Sequence, residues 1–375
     1  MEKRIFAKNI LINGEWLENR SVLIRDGLIA DIEGSFLGDP YEYVSAGLID
    51  NHIHGGVGFT VTQSTVQEME KWLYEMARRG VCGVCAATYG DKASVRSALA
   101  VARTVMERQG AGDAGGAELL GIHMEGPFLN SERCGSMEVD TLVRPDIGTY
   151  LDYTDGYGDT VKEVSLAPEL DEAHALIKHL RKNGIRVLAG HTDCEYGEAK
   201  NAFLDGVGAT CHTFNAMHPI LHRAPGIASA ALADDGIYCE MICDLIHLHE
   251  GTVKLLYKCK GAQRLMIISD AVEPTGLSDG VFTVDSTKVY VKNGEPRTED
   301  GTLYGGGCFI SESVRRLYAV GIPAKDILLM ASDTPARWLG LSDWDIKIGN
   351  KARLTCFDSE LRLCATYIGN EVFIP

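Results

Sequence analysis

Eight short apolar runs, most of them separated by segments of helical periodicity, constrain the fold of this chain more than any other feature. The runs are AGLIDNHIH, VCGVCAAT, ELLGIHMEG, EVSLAPE, IRVLAGH, GATCHTF, IYCEMICDLIH and RLMIISDA. Separating segments such as TVQEMEKWLYEMARRG and DEAHALIKHLRKNG end in a glycine, which favours a helix stop. Eight βα units within about 300 residues predict a (β/α)8 barrel of the TIM type. A doubly wound sheet is the alternative, but it gives no reason for polar residues at so many strand ends.

The two ends of the 375-residue chain predict a second, smaller domain. Residues 1–46 contain short apolar runs separated by Asn-Gly and Asp-Gly, which favour hairpin turns. Residues 346–375 have the same short runs and the same Asn/Gly turns. We therefore expect a small β-sandwich domain built from residues 1–46 and 346–375, and a barrel built from residues 47–345.

Several of the eight runs end in a histidine or a carboxylate. His52 and His54 are two residues apart, so on a strand their side chains lie on the same face. In a barrel, the carboxyl ends of all strands meet on one face, where active sites form. Five separate segments would therefore bring six side chains to one pocket: His52, His54, Glu125, His191, His212 and Asp270.

Each of these residues has a plainer interpretation when it is taken alone. His212 is compatible with a core histidine, Asp270 with a helix cap and Glu125 with support of a turn. Their shared position at strand ends favours a metal site, because independent core residues have no reason to share that end. Imidazole and carboxylate ligands without thiolate suit zinc or a similar divalent ion. We expect zinc, with iron or another divalent ion as the alternative, and Asp270 as the residue that transfers protons.

The charge of the chain excludes two classes of partner. With 36 Lys and Arg against 52 Asp and Glu, the formal net charge is −16, which repels nucleic acid and anionic membranes. An anionic substrate then needs a local basic pocket. The N-terminal segment lacks the pattern of a signal peptide, so we expect a cytoplasmic protein. Cys82 and Cys85 form the one C-x-x-C, which we interpret as small apolar filler in a buried strand.

Several longer motifs carry a resemblance to a known family. In chain order they are GLIDNHIHGG, GIHMEGPFLN, GHTDCEYGEAKNAFLDGVGATCHTFNAMHP, HRAPG, DLIH, SDAVEPTGLSDG and DTPARWLGL. Together they resemble the N-acetylglucosamine-6-phosphate deacetylases of the amidohydrolase superfamily, over nearly the whole chain. The resemblance implies hydrolysis of the acetamide of N-acetylglucosamine-6-phosphate to glucosamine-6-phosphate and acetate.

The resemblance also implies two ligand sets and a phosphate pocket. One metal would be held by His52 and His54 with Asp270 beside them. Glu125, which can bridge, would hold the other with His191 and His212. One or two ions per subunit are therefore expected. The phosphate would contact the backbone at Asn215 and Ala216 together with Arg223 and His247. Arg223 is expected to reach the substrate of a neighbouring subunit, which implies a homodimer; a surface salt bridge is its plainer interpretation.

Three positions depart from the family pattern. Met137 stands where a histidine beside the sugar is expected, Leu245 replaces a glycine, and Gly306 replaces a serine. They leave another N-acyl amino sugar open as the substrate, such as N-acetylgalactosamine-6-phosphate. A cyclic-amide amidohydrolase is a further alternative, but its bridging lysine is missing from SLAPE at the fourth strand end. A metal-free binding relative is disfavoured because all six candidate ligands are present.

Overall fold

The computed structural model describes residues 2–34 and 38–375. Strands and helices alternate over residues 81–268, and the chain ends are made of strands. The strands are β1 (Glu2–Ile12), β2 (Glu15–Arg25), β3 (Leu28–Glu33), β4 (Tyr41–Ala46), β5 (Leu48–Ile53), β6 (Gly55–Gly56), β7 (Phe59–Thr60), β8 (Val81–Thr88), β9 (Glu118–Glu125), β10 (Val161–Leu166), β11 (Arg186–Ala189), β12 (Val207–Thr210), β13 (Tyr238–Ile242), β14 (Leu265–Ile268), β15 (Gly280–Val284), β16 (Thr287–Lys292), β17 (Glu295–Arg297), β18 (Arg353–Phe357), β19 (Leu363–Ile368) and β20 (Glu371–Phe373).

The helices follow the barrel strands along the chain. They are α1 (Val66–Arg78), α2 (Lys92–Ala111), α3 (Ile147–Thr154), α4 (Ala173–Lys182), α5 (Tyr196–Asp205), α6 (Ile227–Ala233), α7 (Glu250–Lys260), α8 (Ile310–Ala319), α9 (Ala324–Leu328) and α10 (Thr334–Leu339). Short 3₁₀ turns lie at Ser131–Arg133, Val139–Thr141 and Gly158–Thr160, and a π-helical turn joins α9 to α10 at Leu329–Asp333. None of the helices in the described ranges is both long and apolar enough to span a bilayer.

Eight parallel strands form the barrel, in the order β14-β13-β12-β11-β10-β9-β8-β5. All eight predicted runs are strands of this sheet. The two outermost strands, β5 and β14, are joined at their carboxyl ends by two backbone hydrogen bonds. The amide of Asp270 donates to the carbonyl of His52 at 3.0 Å, and the amide of His54 donates to the carbonyl of Ala271 at 2.8 Å. The predicted (β/α)8 fold is confirmed, and the strand order excludes the doubly wound sheet.

The sequence of β8 explains its place in the barrel. All eight residues of VCGVCAAT are buried, as expected for a strand covered on both faces. A Cβ on Gly83 would lie 2.6 Å from the ring of Trp344, so glycine makes room for that ring. Cys82 and Cys85 are free and buried, which confirms their interpretation as filler.

Helix α1 shows why the intervening segments are helical. Thr65 caps its N-terminus by accepting from the amide of Glu68, whose side chain accepts from the amide of Thr65 in return. The buried face of the helix repeats at intervals of three and four residues and packs on the barrel. Its residues are Met69, Trp72, Leu73, Met76 and Ala77.

The two chain ends form one seven-stranded sheet in the order β20-β19-β18-β4-β1-β2-β3, which fits the predicted small domain. A partly buried ion pair fastens this sheet to the barrel. Arg353 of β18 donates twice to Glu118 of β9, at 2.9 and 3.0 Å, and its guanidinium lies over the ring of Trp344. The boundaries at 46/47 and 345/346 stay a prediction, and residues 1 and 35–37 of the first segment lie outside the described residues.

A three-stranded antiparallel sheet, β15-β16-β17, follows the eighth barrel strand and was not among the predicted elements. Its own small apolar cluster, which includes Val284 and Val289, packs with Val272 after the barrel strand. At the tip of its first hairpin, Asp285 accepts from Tyr89 at 2.8 Å and from Gln63 at 2.5 Å. The hairpin therefore lies over the carboxyl face of the barrel.

Candidate metal centre and substrate cavity

The six predicted strand-end residues converge at the carboxyl face of the barrel. His52 lies within β5 and Glu125 is the last residue of β9. His191, His212 and Asp270 each stand two residues beyond the end of a strand. Their φ angles are 46°, 27° and 51°, a region that non-glycine residues seldom adopt and that turns the chain sharply away from the strand direction.

The first group consists of His52, His54, Glu125 and Asp270, whose side chains are all buried. The Nε2 atoms of the two histidines are 3.3 Å apart. His54 Nε2 lies 2.9 Å from Glu125 Oε2 and 3.3 Å from Asp270 Oδ1. Four possible ligand atoms from three strands therefore face one point.

The second group shares Glu125 with the first and adds His191 and His212. Glu125 Oε1 lies 3.2 Å from His191 Nε2 and 2.9 Å from His212 Nε2. The two histidine nitrogens are 3.1 Å from each other. Glu125 thus places Oε2 beside His54 of the first group and Oε1 beside both histidines of the second, with Oε1 also 3.4 Å from His52 Nε2. A carboxylate that contacts both groups in this way can bridge them.

This donor set fits a divalent cation. Within each group the possible ligand atoms all lie within 4.8 Å of one another, and all the side chains are buried. The imidazole nitrogens that face one another cannot pair unless some carry a proton, whereas a cation in each group would accept the lone pairs of the two histidines there. The Nδ1 atom of His191 lies 2.8 Å from the carbonyl oxygen of Arg133, which fits an Nδ1–H donor and leaves Nε2 free to bind a metal.

The two carboxyl groups are held in their charged forms. Burial alone raises the pKa of Glu125, but the charge of His52 and the contacts with His191 and His212 outweigh it and hold the pKa well below its usual range. Burial likewise raises the pKa of Asp270, and the hydrogen bond with His54 and the charge of His52 reverse that shift. Both groups therefore offer negatively charged oxygens to a cation.

A cavity of about 850 Å³ opens beside these groups. Five of the six strand-end residues line it, the exception being His52. The structure brings four predicted substrate residues to the same cavity: Met137, Asn215, Ala216 and His247. Arg223 does not line this cavity. Its side chain is exposed, and its guanidinium lies 2.7 Å from Nε2 of His222, the preceding residue.

His247 is oriented by the carboxylate of Asp244. The Nδ1 atom of His247 lies 2.8 Å from Asp244 Oδ2, and its backbone amide donates to Oδ1 at 2.9 Å. Burial raises the pKa of Asp244, but the bonds and charge of His247 outweigh it and lower the pKa to about 2. The intervening Leu245 has a φ of 59°, so the family's usual glycine would be under less strain here.

The structure gives a reason for Gly306. A Cβ at this position would lie 1.9 Å from the carbonyl oxygen of Ser269, and the Gly306 amide donates to the carbonyl of Asp270. The serine that the family pattern has at this place does not fit this backbone. Glycine at residue 306 is therefore explained by the close contact of its backbone with Ser269 and Asp270.

Sequence reasoning missed two residues beside the candidate metal centre. Tyr89 follows β8 and places its ring edge against His54, with 5.2 Å between ring centroids. Glu240 lies inside β13 and contacts His52, with 3.1 Å between Oε2 and Nδ1. A signal for Glu240 was available, since YCEMI places one charged residue within an otherwise apolar strand.

Comparison with known proteins identifies the class. The model of the family described as "Amidohydrolase family" matches residues 43–372. The chain therefore belongs to the amidohydrolase family, whose members combine this barrel with metal-dependent hydrolysis.

The individual relatives narrow the class. The N-acetylglucosamine-6-phosphate deacetylase of Bacillus subtilis is 31% identical, covering 100% of this chain and 98% of the relative. The N-acetylgalactosamine-6-phosphate deacetylase of Escherichia coli O157:H7 is 29% identical over 98% of each. The N-acetyl-D-glucosamine-6-phosphate deacetylase of Mycobacterium smegmatis, solved as a mutant in complex with N-acetyl-D-glucosamine-6-phosphate, superposes with a TM-score of 0.91 at 27% identity, covering 100% of both chains. Within the amidohydrolases, the resemblance to the N-acetylglucosamine-6-phosphate deacetylases is confirmed.

Proposed function

We propose that this chain hydrolyses the acetamide of N-acetylglucosamine-6-phosphate to glucosamine-6-phosphate and acetate. The observation that carries the proposal is the convergence of four imidazoles and two carboxylates at the mouth of the barrel. Full-length similarity to deacetylases of this sugar phosphate supports the substrate, and one of those relatives was solved with N-acetyl-D-glucosamine-6-phosphate bound.

We assign the two groups as donors for one or two divalent cations. Zinc is the expected ion because the donors are imidazole and carboxylate without thiolate, and iron or another divalent ion is the alternative. A bound cation of this kind supplies a Lewis acid for the amide carbonyl and lowers the pKa of water to about 7. The residues assigned to this role are His52, His54, Glu125, His191, His212 and Asp270.

Asp270 is assigned as the general base and acid. Its carboxylate contacts His54 at 3.3 Å, and its side chain also forms part of the cavity wall. It therefore reaches both the candidate metal donors and the space in which the amide would lie. In the proposed reaction Asp270 takes a proton from the attacking water and returns it to the nitrogen as the carbon–nitrogen bond breaks.

Asn215, Ala216 and His247 are assigned to the phosphate. The two arginines that line the cavity are already paired: Arg133 lies 2.5 Å from Asp193, and Arg297 lies 3.1 Å from Glu295. A dianionic phosphate therefore needs a further cation from outside the cavity of its own chain.

Arg223 is the residue that we propose for this role, acting on the substrate of a neighbouring subunit in a homodimer. It lies in an exposed segment, outside the cavity of its own chain. The same segment exposes Ile220 and Leu221, with 43% and 50% of their surface accessible, and apolar side chains of this kind favour contact with another protein surface. We further propose a cytoplasmic location, which the free thiols of all eleven cysteines support.

A deacetylase of N-acetylgalactosamine-6-phosphate is the second candidate. The Escherichia coli relative of that name is nearly as similar as the first relative. Met137 lines the cavity at the position where the family has a histidine, so the contact with the sugar hydroxyls differs from the usual one. A cyclic-amide hydrolase is less favoured, because Glu125 of the third barrel strand takes the bridging position and the fourth strand ends in Ser165 and Leu166.

Acetate release from a panel of sugars tests the proposal. Metal-loaded protein is incubated with N-acetylglucosamine-6-phosphate, its galactosamine epimer and both unphosphorylated sugars. Ring opening of a cyclic amide, which releases no acetate, is followed separately by chromatography. We expect the largest kcat/KM with N-acetylglucosamine-6-phosphate and a large loss without the phosphate, since remote phosphate contacts position the amide. A panel in which only the epimer releases acetate would refute the substrate, and hydrolysis of the cyclic amide alone would refute the reaction.

A further inference from the structure

Glu240 is a buried carboxylate that the proposed reaction does not use. It lies in the middle of β13, and its side chain has no exposed surface. Both oxygens have partners: Oε1 accepts from the side-chain amide of Asn51 at 2.7 Å, and Oε2 accepts from the backbone amide of His212 at 3.2 Å. Oε2 also lies 3.1 Å from His52 Nδ1. A buried carboxylate is costly unless it is paired and hydrogen-bonded, and Glu240 meets that condition through these three nitrogen partners.

The contact with His52 bears on which ring nitrogen carries the proton. His52 can offer Nε2 to a metal only if the proton of the neutral ring is on Nδ1. Glu240 Oε2 is the acceptor that stabilises this form, since a carboxylate accepts and does not donate. The thiol of Cys211 also lies near, with 3.4 Å between Sγ and Nδ1, but sulfur is the weaker acceptor. Glu240 therefore favours the tautomer that can bind metal.

The contact with His212 bears on the second group. His212 has a φ of 27°, and a backbone in this region persists only when its surroundings hold it. Glu240 does so twice, because its side chain accepts from the amide of His212 and its backbone carbonyl accepts from the amide of Thr213 at 2.9 Å. One residue thus contacts a candidate ligand of each group.

We propose that Glu240 is a positioning residue for the metal centre: it fixes the His52 tautomer and holds the turn that presents His212. The proposal rests on the proposed function in one respect, namely that the two groups bind a divalent cation. It does not depend on which sugar is the substrate.

Two substitutions separate the charge of Glu240 from its hydrogen bonds. In Glu240→Gln, the side-chain oxygen can still accept from His52 and His212. Its NH₂ group can donate to Asn51 Oδ1 once the side-chain amide of Asn51 has flipped. That oxygen has no other partner within the described residues. This variant loses the charge and keeps the bonds. Glu240→Ala loses both. Carboxylates that support a ligating histidine typically contribute about 10–100-fold to metal affinity.

Glu163→Gln is the matched control. Glu163 is also a fully buried carboxyl within the barrel, and it accepts from the indole of Trp338 rather than from a candidate ligand. Burial and the nearby charge of Glu240 raise the pKa of Glu163 to about 8. Glu163→Gln therefore reports on the packing of an amide in the barrel interior without removing a hydrogen bond to a candidate ligand.

The experiment measures zinc affinity of metal-depleted protein by competition with a chromophoric chelator, together with the melting temperature without metal. We expect zinc to bind about 10-fold more weakly to Glu240→Gln and about 100-fold more weakly to Glu240→Ala, with parental affinity for Glu163→Gln. The metal-free melting temperature of Glu240→Gln should stay within about 3 °C of the parent, since its hydrogen bonds are retained. In histidine-labelled protein, nitrogen NMR should find the Nδ1–H form of His52 in the parent and lose it in Glu240→Ala.

Parental zinc affinity in both Glu240 variants would overturn the proposal, whatever their melting temperatures, because a purely structural role lowers stability and leaves affinity unchanged. A parent that binds neither zinc nor iron(II) would overturn it together with the proposed function. A parent that binds zinc but releases no acetate from any sugar overturns the proposed function alone, and the comparison of affinities still decides the role of Glu240.

Discussion

Replacing Asp270 with asparagine tests the assigned acid–base role. Two hydrogen bonds hold the backbone at this position: the Asp270 amide donates to the carbonyl of His52 at 3.0 Å, and the Gly306 amide donates to the carbonyl of Asp270. An asparagine of the same shape therefore keeps its place but cannot take up a proton. General acid–base catalysis contributes about 10²–10⁴-fold, so kcat should fall by that factor, equivalent to about 3–5 kcal/mol of transition-state stabilisation.

The other kinetic quantities should change little in Asp270→Asn. KM should stay close to the parental value because the proposed phosphate contacts at Asn215 and His247 are untouched. The second group (Glu125, His191 and His212) should retain its metal, because it does not include Asp270. Steady-state acetate release, metal content and melting temperature are measured on the same preparation. Asp285→Asn serves as the matched control, since it makes the same change at the exposed hairpin tip on the rim of the cavity. A kcat for Asp270→Asn near that of the control would show that another residue transfers the proton.

Three further outcomes are expected. His212→Ala should lose metal and activity together, because a three-residue ligand group that loses one member loses affinity, and metal analysis of the purified variant checks this. Arg223→Ala should lower kcat/KM for the phosphorylated sugar by about 10–100-fold and leave the unphosphorylated sugar unchanged, since hydrogen bonds to charged groups contribute about 1.5–3 kcal/mol; equal losses with both sugars would argue against a phosphate contact. Glu118→Gln should lower the free energy of unfolding at pH 7 by about 2 kcal/mol through the ion pair with Arg353, as measured by urea denaturation. Burial raises the pKa of Glu118, but its hydrogen bonds with Arg353 and the charges of Arg353 and Lys351 lower it overall. The stabilisation by this ion pair is therefore complete above the ordinary pKa of 4.5 and disappears as pH falls through the folded-state pKa. A stability difference from the parent that persists in acid would contradict this account.

The barrel was predictable because two signals agree along the chain. Each strand is a short apolar run, and His52, His54 and Glu125 stand at or beside the carboxyl ends of their strands, where barrels place polar side chains. The hairpin of β15 and β16 was missed although VFTVDSTKVYV alternates in the manner of a strand pair. Its segment follows the last barrel strand, where a helix was the expected element.

Other features of the site depend on distances that one sequence does not contain. Glu240 is an isolated charge in a strand, and it contacts His52, which lies 188 residues earlier in the sequence. Gly306 looked like a departure at the sugar, whereas the carbonyl of Ser269 determines it. The role of Arg223 involves a second subunit, so neither the sequence nor a single chain can supply its partner atoms.

The central claim is that the strand-end groups hold a divalent cation with which this chain removes an acetyl group from a phosphorylated amino sugar. The most direct measurement is acetate release from N-acetylglucosamine-6-phosphate by one preparation before chelation, after exhaustive chelation and after reloading with zinc or iron(II). We predict that chelation abolishes acetate release and that one of the two ions restores it in proportion to the metal bound. Full activity in the metal-free preparation would contradict the account.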